Sequence, residues 1–156
     1  DEPLRMFLGT NHIRIEVRNI RFTSKLIDGR FPDYNRVIPE DANNLILAER
    51  ESLRQALVRA SILSNEKYRG IRLVAKDNLL LLQAQNPDQE EADVEVEVNY
   101  SGDTLEIGFN VNYLLDVLNV TDANTVQATL RDSNSSCLLT YPDLPDCKYV
   151  IMPMRL

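Results

Sequence analysis

Hydrophobic and polar residues alternate along the first part of the chain. Ile13, Ile15 and Val17 alternate with charged residues, which predicts a strand with one apolar face. Residues 20–27 predict a second strand, and the segment that follows contains Asp-Gly and a proline, which indicate a turn. Because a few strands cannot bury a core alone, we expect residues 1–36 to be the closing part of a domain that begins outside this sequence.

From about residue 37 the chain shows a strand, a helix and three strands. A short strand is predicted at 45–47, and strands at 71–75, 79–85 and 93–98 follow the helix. In the last of these strands, valines alternate with carboxylates, which predicts valines in a core and carboxylates in water. In the helix between the strands at 45–47 and 71–75, the apolar residues recur at i, i+3, i+4 and i+7: Leu53, Ala56, Leu57 and Ala60.

The same order of elements then occurs a second time. A strand at 104–109 leads to Asn110, a suitable helix cap, and strands are predicted at 125–130, 136–140 and 149–152. The helix carries its apolar residues at the same spacing: Val111, Leu114, Leu115 and Leu118. The pattern therefore predicts an α+β fold, a doubled strand–helix–three-strand unit whose two amphipathic helices pack on one face of antiparallel sheet.

Charge is unevenly distributed along the 156 residues, which have a net charge of −7. Residues 50–76 contain seven basic and two acidic side chains, an excess of five positive charges. Residues 77–122 contain eleven acidic side chains and no Lys or Arg. Two interpretations remain open: an ordinary solvated surface, or a protein that repels polyanions on one side and tolerates them on another.

Residues that could carry chemistry are few. The sequence contains no phosphate-binding glycine loop, no nucleophile elbow and no Cys-x-x-Cys motif. Cys137 and Cys147 are expected to be reduced thiols of a cytosolic protein, and His12 a surface side chain. The acidic cluster at 88–93 lies on one segment, whereas a two-metal site needs carboxylates from separate elements. We therefore expect no catalytic residue, no metal and no cofactor.

Two apolar features are unusual for surface positions. In the predicted helix at 50–63, Val58 and Ile62 point away from the core, so either a neighbouring loop covers them or they belong to an interface. The last eight residues form an apolar strand and a Met-Pro-Met tail. This tail could line a peptide groove, because methionine adapts to varied apolar partners, or it could simply close the sheet. No apolar run approaches the length of a membrane span, and the first residues do not resemble a signal peptide.

Three blocks of sequence resemble the bacterial β sliding clamp family. They are residues 22–34, with Phe-Thr-Ser-Lys-Leu and Asp-Gly-Arg-Phe-Pro-Asp-Tyr, residues 59–70, with Ile-Leu-Ser-Asn-Glu-Lys-Tyr-Arg-Gly, and the terminal Met-Pro-Met-Arg-Leu. The resemblance implies the DNA-clamp fold, with residues 1–36 closing the middle domain and residues 37–156 forming the third domain. It also implies a cytoplasmic, nucleoid-associated processivity factor without catalytic activity.

The resemblance further implies specific surfaces. Duplex DNA would be met without sequence specificity by Arg50, Arg54 and Arg59. A head-to-tail homodimer would use Ile62, Leu63, Asp88, Glu90 and Glu91. Replicative and translesion polymerases, the clamp loader and mismatch-repair proteins would insert Gln-Leu-x-Leu-Phe-type motifs into a groove formed by Pro32, Arg36, Val37, Tyr68, Tyr113, Ser136, Val150, Met152, Pro153, Met154, Arg155 and Leu156. Asn134 stands where the family commonly has an apolar residue, so peptide preference is expected to differ.

Two other hypotheses remain on the residues alone. The first is a free-standing acidic interaction module that keeps the peptide groove and does not encircle DNA. The second is a carboxylate-dependent nuclease, which rests only on the acidic cluster and would show magnesium-dependent cleavage.

Overall fold

The computed structural model describes residues 3–29, 33–39 and 42–155, and the chain divides into two compact units, Asp1–Asp33 and Tyr34–Leu156. The division falls three residues before the predicted boundary. The first unit is an antiparallel sheet of β1 (Arg5–Leu8), β2 (His12–Val17) and β3 (Ile20–Lys25), in that order. None of its described residues is buried, which agrees with the expectation that these strands lack a core of their own.

The second unit contains the doubled pattern. Its first copy is β4 (Asn44–Glu49), α1 (Arg50–Ser61), β5 (Gly70–Lys76), β6 (Leu79–Gln85) and β7 (Glu91–Asn99). Its second copy is β8 (Leu105–Asn110), α2 (Val111–Asn119), β9 (Thr125–Leu130), β10 (Cys137–Tyr141) and β11 (Leu144–Ile151). A short 3-10 helix, Tyr34–Arg36, precedes both copies. The predicted order is confirmed in both copies, with α1 ending two residues earlier and β11 beginning five residues earlier than expected.

The two copies exchange their first strands. The sheet order is β11-β10-β9-β4-β7-β6-β5-β8, so β4 pairs with β9 of the second copy as well as with β7 of its own, and β8 pairs with β5 of the first copy. The backbone N–H of Arg50 donates to Asn124 O and that of Val111 donates to Arg69 O, each at 2.8 Å. The first residue of each helix is therefore hydrogen-bonded to the residue that precedes a strand of the other copy, and the two copies share one core.

The amphipathic faces of the helices meet this shared core. The predicted apolar stripe of α1 is buried in full, at Leu53, Ala56, Leu57 and Ala60. Asn110 caps α2 as predicted, since its side-chain oxygen accepts a hydrogen bond from the backbone N–H of Asn112 at 2.9 Å. One position differs from the prediction. Val117 is buried and Leu115 is only partly buried, because α2 is turned about its axis so that Val117, rather than Leu115, faces the core.

The strands that follow α1 show the predicted alternation. In β7, Val96 and Val98 are buried, whereas Glu95 and Glu97 are exposed. The β5–β6 hairpin turns through Asp77 and Asn78, with φ angles of 49° and 64°. Two successive positive φ angles suit the twist of a two-residue hairpin, and Asp and Asn tolerate them.

Candidate functional site

The end of the chain lies along the exchanged strand β8. Ile151, the last residue of β11, is buried, and the next residue, Met152, exposes 62% of its surface. The backbone N–H of Met154 donates to the carbonyl oxygen of Gly108 at 2.8 Å, which fixes the tail against β8. Pro153 and Met154 are half-buried there and Arg155 is exposed. The tail therefore presents apolar side chains in an ordered backbone conformation.

A pocket opens beside Met152, between the segment 35–39 and the turn that precedes β10. The Ser136 hydroxyl, which is buried, donates to Val37 O at 2.6 Å and holds the two segments together. The pocket has a volume of about 510 Å³ and is lined by Arg36, Val37, Ser136 and Met152, among other residues. The structure thus brings four of the predicted groove residues to one open, partly apolar cavity.

A second group of predicted groove residues lies near the start of α2. Asn110 donates through Nδ2 to Tyr68 O at 3.3 Å, so Tyr68 lies beside the N-terminal end of this helix. Tyr113, in the first turn of α2, is 58% exposed and Tyr68 is 56% exposed. Met154 reaches the adjacent strand through Gly108. The Tyr68 carbonyl group and the Met154 backbone therefore both lie near the end of β8 from which α2 begins.

The remaining predicted groove residues are more scattered. Val150 is half-buried in β11, where it pairs with Leu138 of β10. Pro32 and Leu156 lie outside the described residues. The prediction did not include Ile38, Pro39 and Arg131, which also line the pocket beside Met152. Their position in the sequence gives no signal of this role, because it depends on the contact between the segment 35–39 and the turn before β10.

The three arginines of α1 occupy different environments. The Arg50 guanidinium donates to Leu118 O at 2.9 Å and to Ala123 O at 2.8 Å, and only 15% of its side chain is exposed. Arg54 makes a two-pronged pair with Glu51 at 2.6 and 2.9 Å. This pairing, with a further hydrogen bond from Gln55, lowers the pKa of Glu51 to about 2. Arg59 is exposed and makes no side-chain hydrogen bond or ion pair among the described residues.

The predicted dimer-interface residues lie close together. Ile62, Leu63, Asp88 and Glu90 line one open pocket of about 580 Å³ between the end of α1 and the β6–β7 loop. Ile62, which the helical pattern placed away from the core, is 75% exposed, so no loop in the described residues covers it. Asn86 shapes the loop, since its side chain accepts from the backbone N–H of Glu90 at 3.0 Å and donates to the Glu90 carboxylate at 2.6 Å. Glu91 begins β7 and accepts from Gln85 Nε2 at 3.1 Å.

Groups suited to metal binding are not assembled in the part of the chain that the structure describes. Cys137 and Cys147 are both free thiols, and burial raises the pKa of Cys137 to about 12. The described ranges contain no group of three or more His, Cys, Asp or Glu side chains that could hold a metal ion. His12 is exposed, and its ring forms a hydrogen bond of 2.5 Å with the side-chain oxygen of the neighbouring Asn11. Neither described helix is long and apolar enough to cross a membrane.

Comparison with known proteins places the chain in a family. Residues 35–155 match the model of the DNA polymerase III beta subunit, C-terminal domain, and residues 1–33 match its central domain. The chain is 53% identical over its whole length to the beta sliding clamp of Haemophilus influenzae and 54% identical to that of Pseudomonas aeruginosa. It covers 43% and 42% of those proteins, so it spans less than half the length of the curated relatives it matches.

Solved structures give the same assignment. A crystal structure of the DNA polymerase sliding clamp from Pseudomonas aeruginosa with ligand matches all of this chain, with a TM-score of 0.87 and 54% identity, and 43% of that chain is covered. The Caulobacter crescentus beta sliding clamp, with PEG bound to a putative beta-motif tethering region, matches 98% of this chain with a TM-score of 0.86 and 35% identity, over 41% of its own length. The chain therefore belongs to the DNA polymerase III beta subunit family, the bacterial β sliding clamps.

Proposed function

We propose that the chain is part of a ring-shaped processivity clamp that encircles duplex DNA and docks replication and repair proteins. The observation that carries this proposal is the match of both domain models in chain order, together with relatives named beta sliding clamp that align along the whole chain. Its proposed role is to tether and to bind, without catalysis.

The helical face is the proposed DNA-facing surface. A sliding ring needs contacts to phosphates that are independent of sequence and weak enough to break as the ring moves. Arg59 suits this role because it is an exposed cation without a partner among the described residues, and Arg54 retains partial exposure although Glu51 binds it. Arg50 contributes its charge, but its guanidinium is held by main-chain carbonyl groups. Exposed polar residues of α2 include Asn112, Asp116 and Asn119, which keeps the attraction to DNA weak.

The pocket at the end of α1 is the proposed contact with a second subunit. Exposed apolar side chains at an interface bury their surface on association. Ile62 and Leu63 would provide this apolar contact, and Asp88, Glu90 and Glu91 would meet basic residues of the partner. The contact would join two subunits head to tail in a homodimer.

The C-terminal tail and its surroundings form the proposed peptide groove. The pocket beside Met152 would accept the apolar anchor of a Gln-Leu-x-Leu-Phe-type segment, and the exposed rings of Tyr68 and Tyr113 would contact the rest of the segment. Replicative and translesion polymerases, the clamp loader and mismatch-repair proteins are the proposed partners. The proposed location is the cytoplasm, in association with the nucleoid.

Binding of a labelled Gln-Leu-x-Leu-Phe peptide tests the docking function. We compare the chain with a Met154→Ala, Leu156→Ala double variant, and use Val120→Ala, which shortens an exposed apolar side chain at the end of α2, as the control. The proposal predicts saturable binding that the double variant weakens by about tenfold or more, equivalent to 1.4 kcal/mol, and that the control retains. Equal affinity of the double variant and the chain, or no binding by the folded chain, would contradict it.

A further inference from the structure

Met152 is an exposed methionine at the pocket described above. The chain has three methionines. Met152 is 62% exposed and lines the pocket, Met6 is 60% exposed on β1, and Met154 is half-buried. A dissolved oxidant reaches an exposed thioether more readily than a half-buried one, because it must contact the sulfur atom. In the second unit, Met152 is therefore the methionine more open to oxidation.

The backbone on both sides of Met152 is held by the sheet. Ile151, which precedes it, is buried and pairs with Cys137 of β10. Two residues after Met152, the backbone N–H of Met154 donates to Gly108 O at 2.8 Å. Because these contacts fix the chain on either side, the Met152 side chain cannot exchange places with a core residue. It remains at the pocket, where an oxidant and a docked peptide would both meet it.

The apolar wall of the pocket suits a thioether. Val37, Ile38 and Pro39 supply apolar surface to the same cavity as Met152. A thioether is a flexible apolar group that adapts to an apolar partner, whereas a sulfoxide is polar and takes hydrogen bonds from water. An apolar peptide that covered the sulfoxide would displace this water at a cost in free energy.

Several hydrogen-bond donors of the lining are already engaged. The buried Ser136 hydroxyl donates to Val37 O at 2.6 Å. Arg131 Nε donates to the Asp132 carboxylate at 3.1 Å. These donors would have to leave their partners in order to replace the water at a sulfoxide. Oxidation of Met152 would therefore disfavour the docking of an apolar side chain.

We propose that Met152 is a reversible modification site, and that its conversion to the sulfoxide by hydrogen peroxide weakens the docking of apolar peptides. In this step the peroxide O–O bond breaks, one oxygen atom bonds to the sulfur, and the other leaves as water. The sulfur loses two electrons and the peroxide gains them. A methionine sulfoxide reductase, with a thiol as reductant, reverses the change. This inference rests on the proposed docking function and adds regulation of the same groove by oxidants.

The experiment compares each protein with itself before and after hydrogen peroxide. All proteins carry Cys147→Ser, which removes the exposed thiol, whereas Cys137 is buried. The chain, Met152→Leu and Met6→Leu are treated briefly, the peroxide is removed, and a labelled Gln-Leu-x-Leu-Phe peptide is titrated. Mass spectrometry of proteolytic fragments gives the fraction of sulfoxide at each methionine. Met6→Leu is the matched control, because it removes an equally exposed methionine that is not among the described residues of the pocket lining.

We expect Met152 to be oxidised faster than Met154, and the affinity of the treated chain to fall by about fivefold or more. Met6→Leu should lose affinity by the same factor. Met152→Leu should keep its own untreated affinity to within about twofold, because it has no thioether at this position. Treatment of the oxidised chain with methionine sulfoxide reductases A and B should restore binding.

Three results would overturn the inference alone, provided that the untreated chain binds the peptide. They are a sulfoxide at Met152 without loss of affinity, an equal loss in Met152→Leu, and an affinity that does not return when the Met152 sulfoxide is reduced. The third result needs no variant, so it decides the question even where Met152→Leu does not bind. Failure of the untreated, folded chain to bind would overturn the docking function and this inference with it.

Discussion

Arg50 and Leu118 are joined by a hydrogen bond of 2.9 Å, from the guanidinium group at the start of α1 to a carbonyl oxygen in the last turn of α2. Carbonyl groups in the last turn of a helix lack partners within the helix, and a positive charge there is favourable. A second bond, from Nε to Ala123 O at 2.8 Å, extends the contact into the loop that follows α2. A single side chain of one copy of the repeat therefore stabilises the helix end of the other.

Replacement of Arg50 by alanine should lower the free energy of unfolding by about 1.5–3 kcal/mol, because two charge-assisted hydrogen bonds are lost at a mostly buried side chain. Urea unfolding, followed by tyrosine fluorescence and circular dichroism, measures this change. Arg50→Lys keeps the charge without the planar fork and should have an intermediate effect. An unchanged unfolding midpoint for Arg50→Ala would show that the contact does not hold the helices together.

Arg59 gives a different prediction, because it is exposed and does not stabilise another element. Arg59→Ala should weaken binding to duplex DNA at low salt and reduce the slope of log affinity against log salt by about 0.9, the value for one lost phosphate contact. Fluorescence anisotropy with labelled duplexes of two unrelated sequences measures both quantities. The matched control is Arg72→Ala, on β5. If the two variants lose the same affinity, α1 does not face the DNA.

Ionisation of the Asp132 carboxyl group makes the stability of the turn beside the Met152 pocket depend on pH. Hydrogen bonds from Ser135, Asn134 and Arg131 lower its pKa from 3.8 to about 2. A lowered pKa in the folded state means that the ionised form favours folding at pH values above the unfolded pKa, and that this contribution is lost as pH falls from about 4 to about 2. Asp132→Asn should therefore be less stable than the unmodified chain near neutral pH, and the difference should shrink across this range.

Chemical unfolding at a series of pH values measures that difference. Asp146→Asn removes the same charge from an exposed position on β11 and controls for net charge. A difference between Asp132→Asn and the unmodified chain that stays constant down to pH values of about 2 would contradict the assignment of the hydrogen bonds to the ionised carboxylate.

Local patterns predicted the elements of this fold well. The stripe of α1, the Asn110 cap and the valine alternation of β7 depend on neighbours within a few residues, so they can be recognised in sequence. β1 was not predicted, because its sequence, Arg-Met-Phe-Leu, does not alternate between apolar and polar residues. The helical period placed Ile62 away from the core, but it left open whether a loop covers this residue, and the structure shows it exposed.

Contacts between distant segments could not be predicted in the same way. The exchange of β4 and β8 between the two copies gives no signal in either strand, because each strand shows the same alternation with any partner. Arg50 lies 68 residues from Leu118 in sequence, so the contact between them gives no local signal, and the resemblance to the clamp family implied a phosphate contact for Arg50 instead. The pocket beside Met152 likewise depends on the hydrogen bond between Ser136 and Val37, which are 99 residues apart.

The most direct test of the central claim is retention on circular DNA. A chimera is made in which this chain replaces the aligned part of the Pseudomonas aeruginosa clamp, and that organism's clamp loader places it on nicked circular DNA. If the chain is part of an encircling clamp, the chimera remains on the circle through gel filtration and is released when the DNA is cut to a linear form. A folded, dimeric chimera that is not retained on the circle, or that stays bound equally to linear DNA, would contradict the claim.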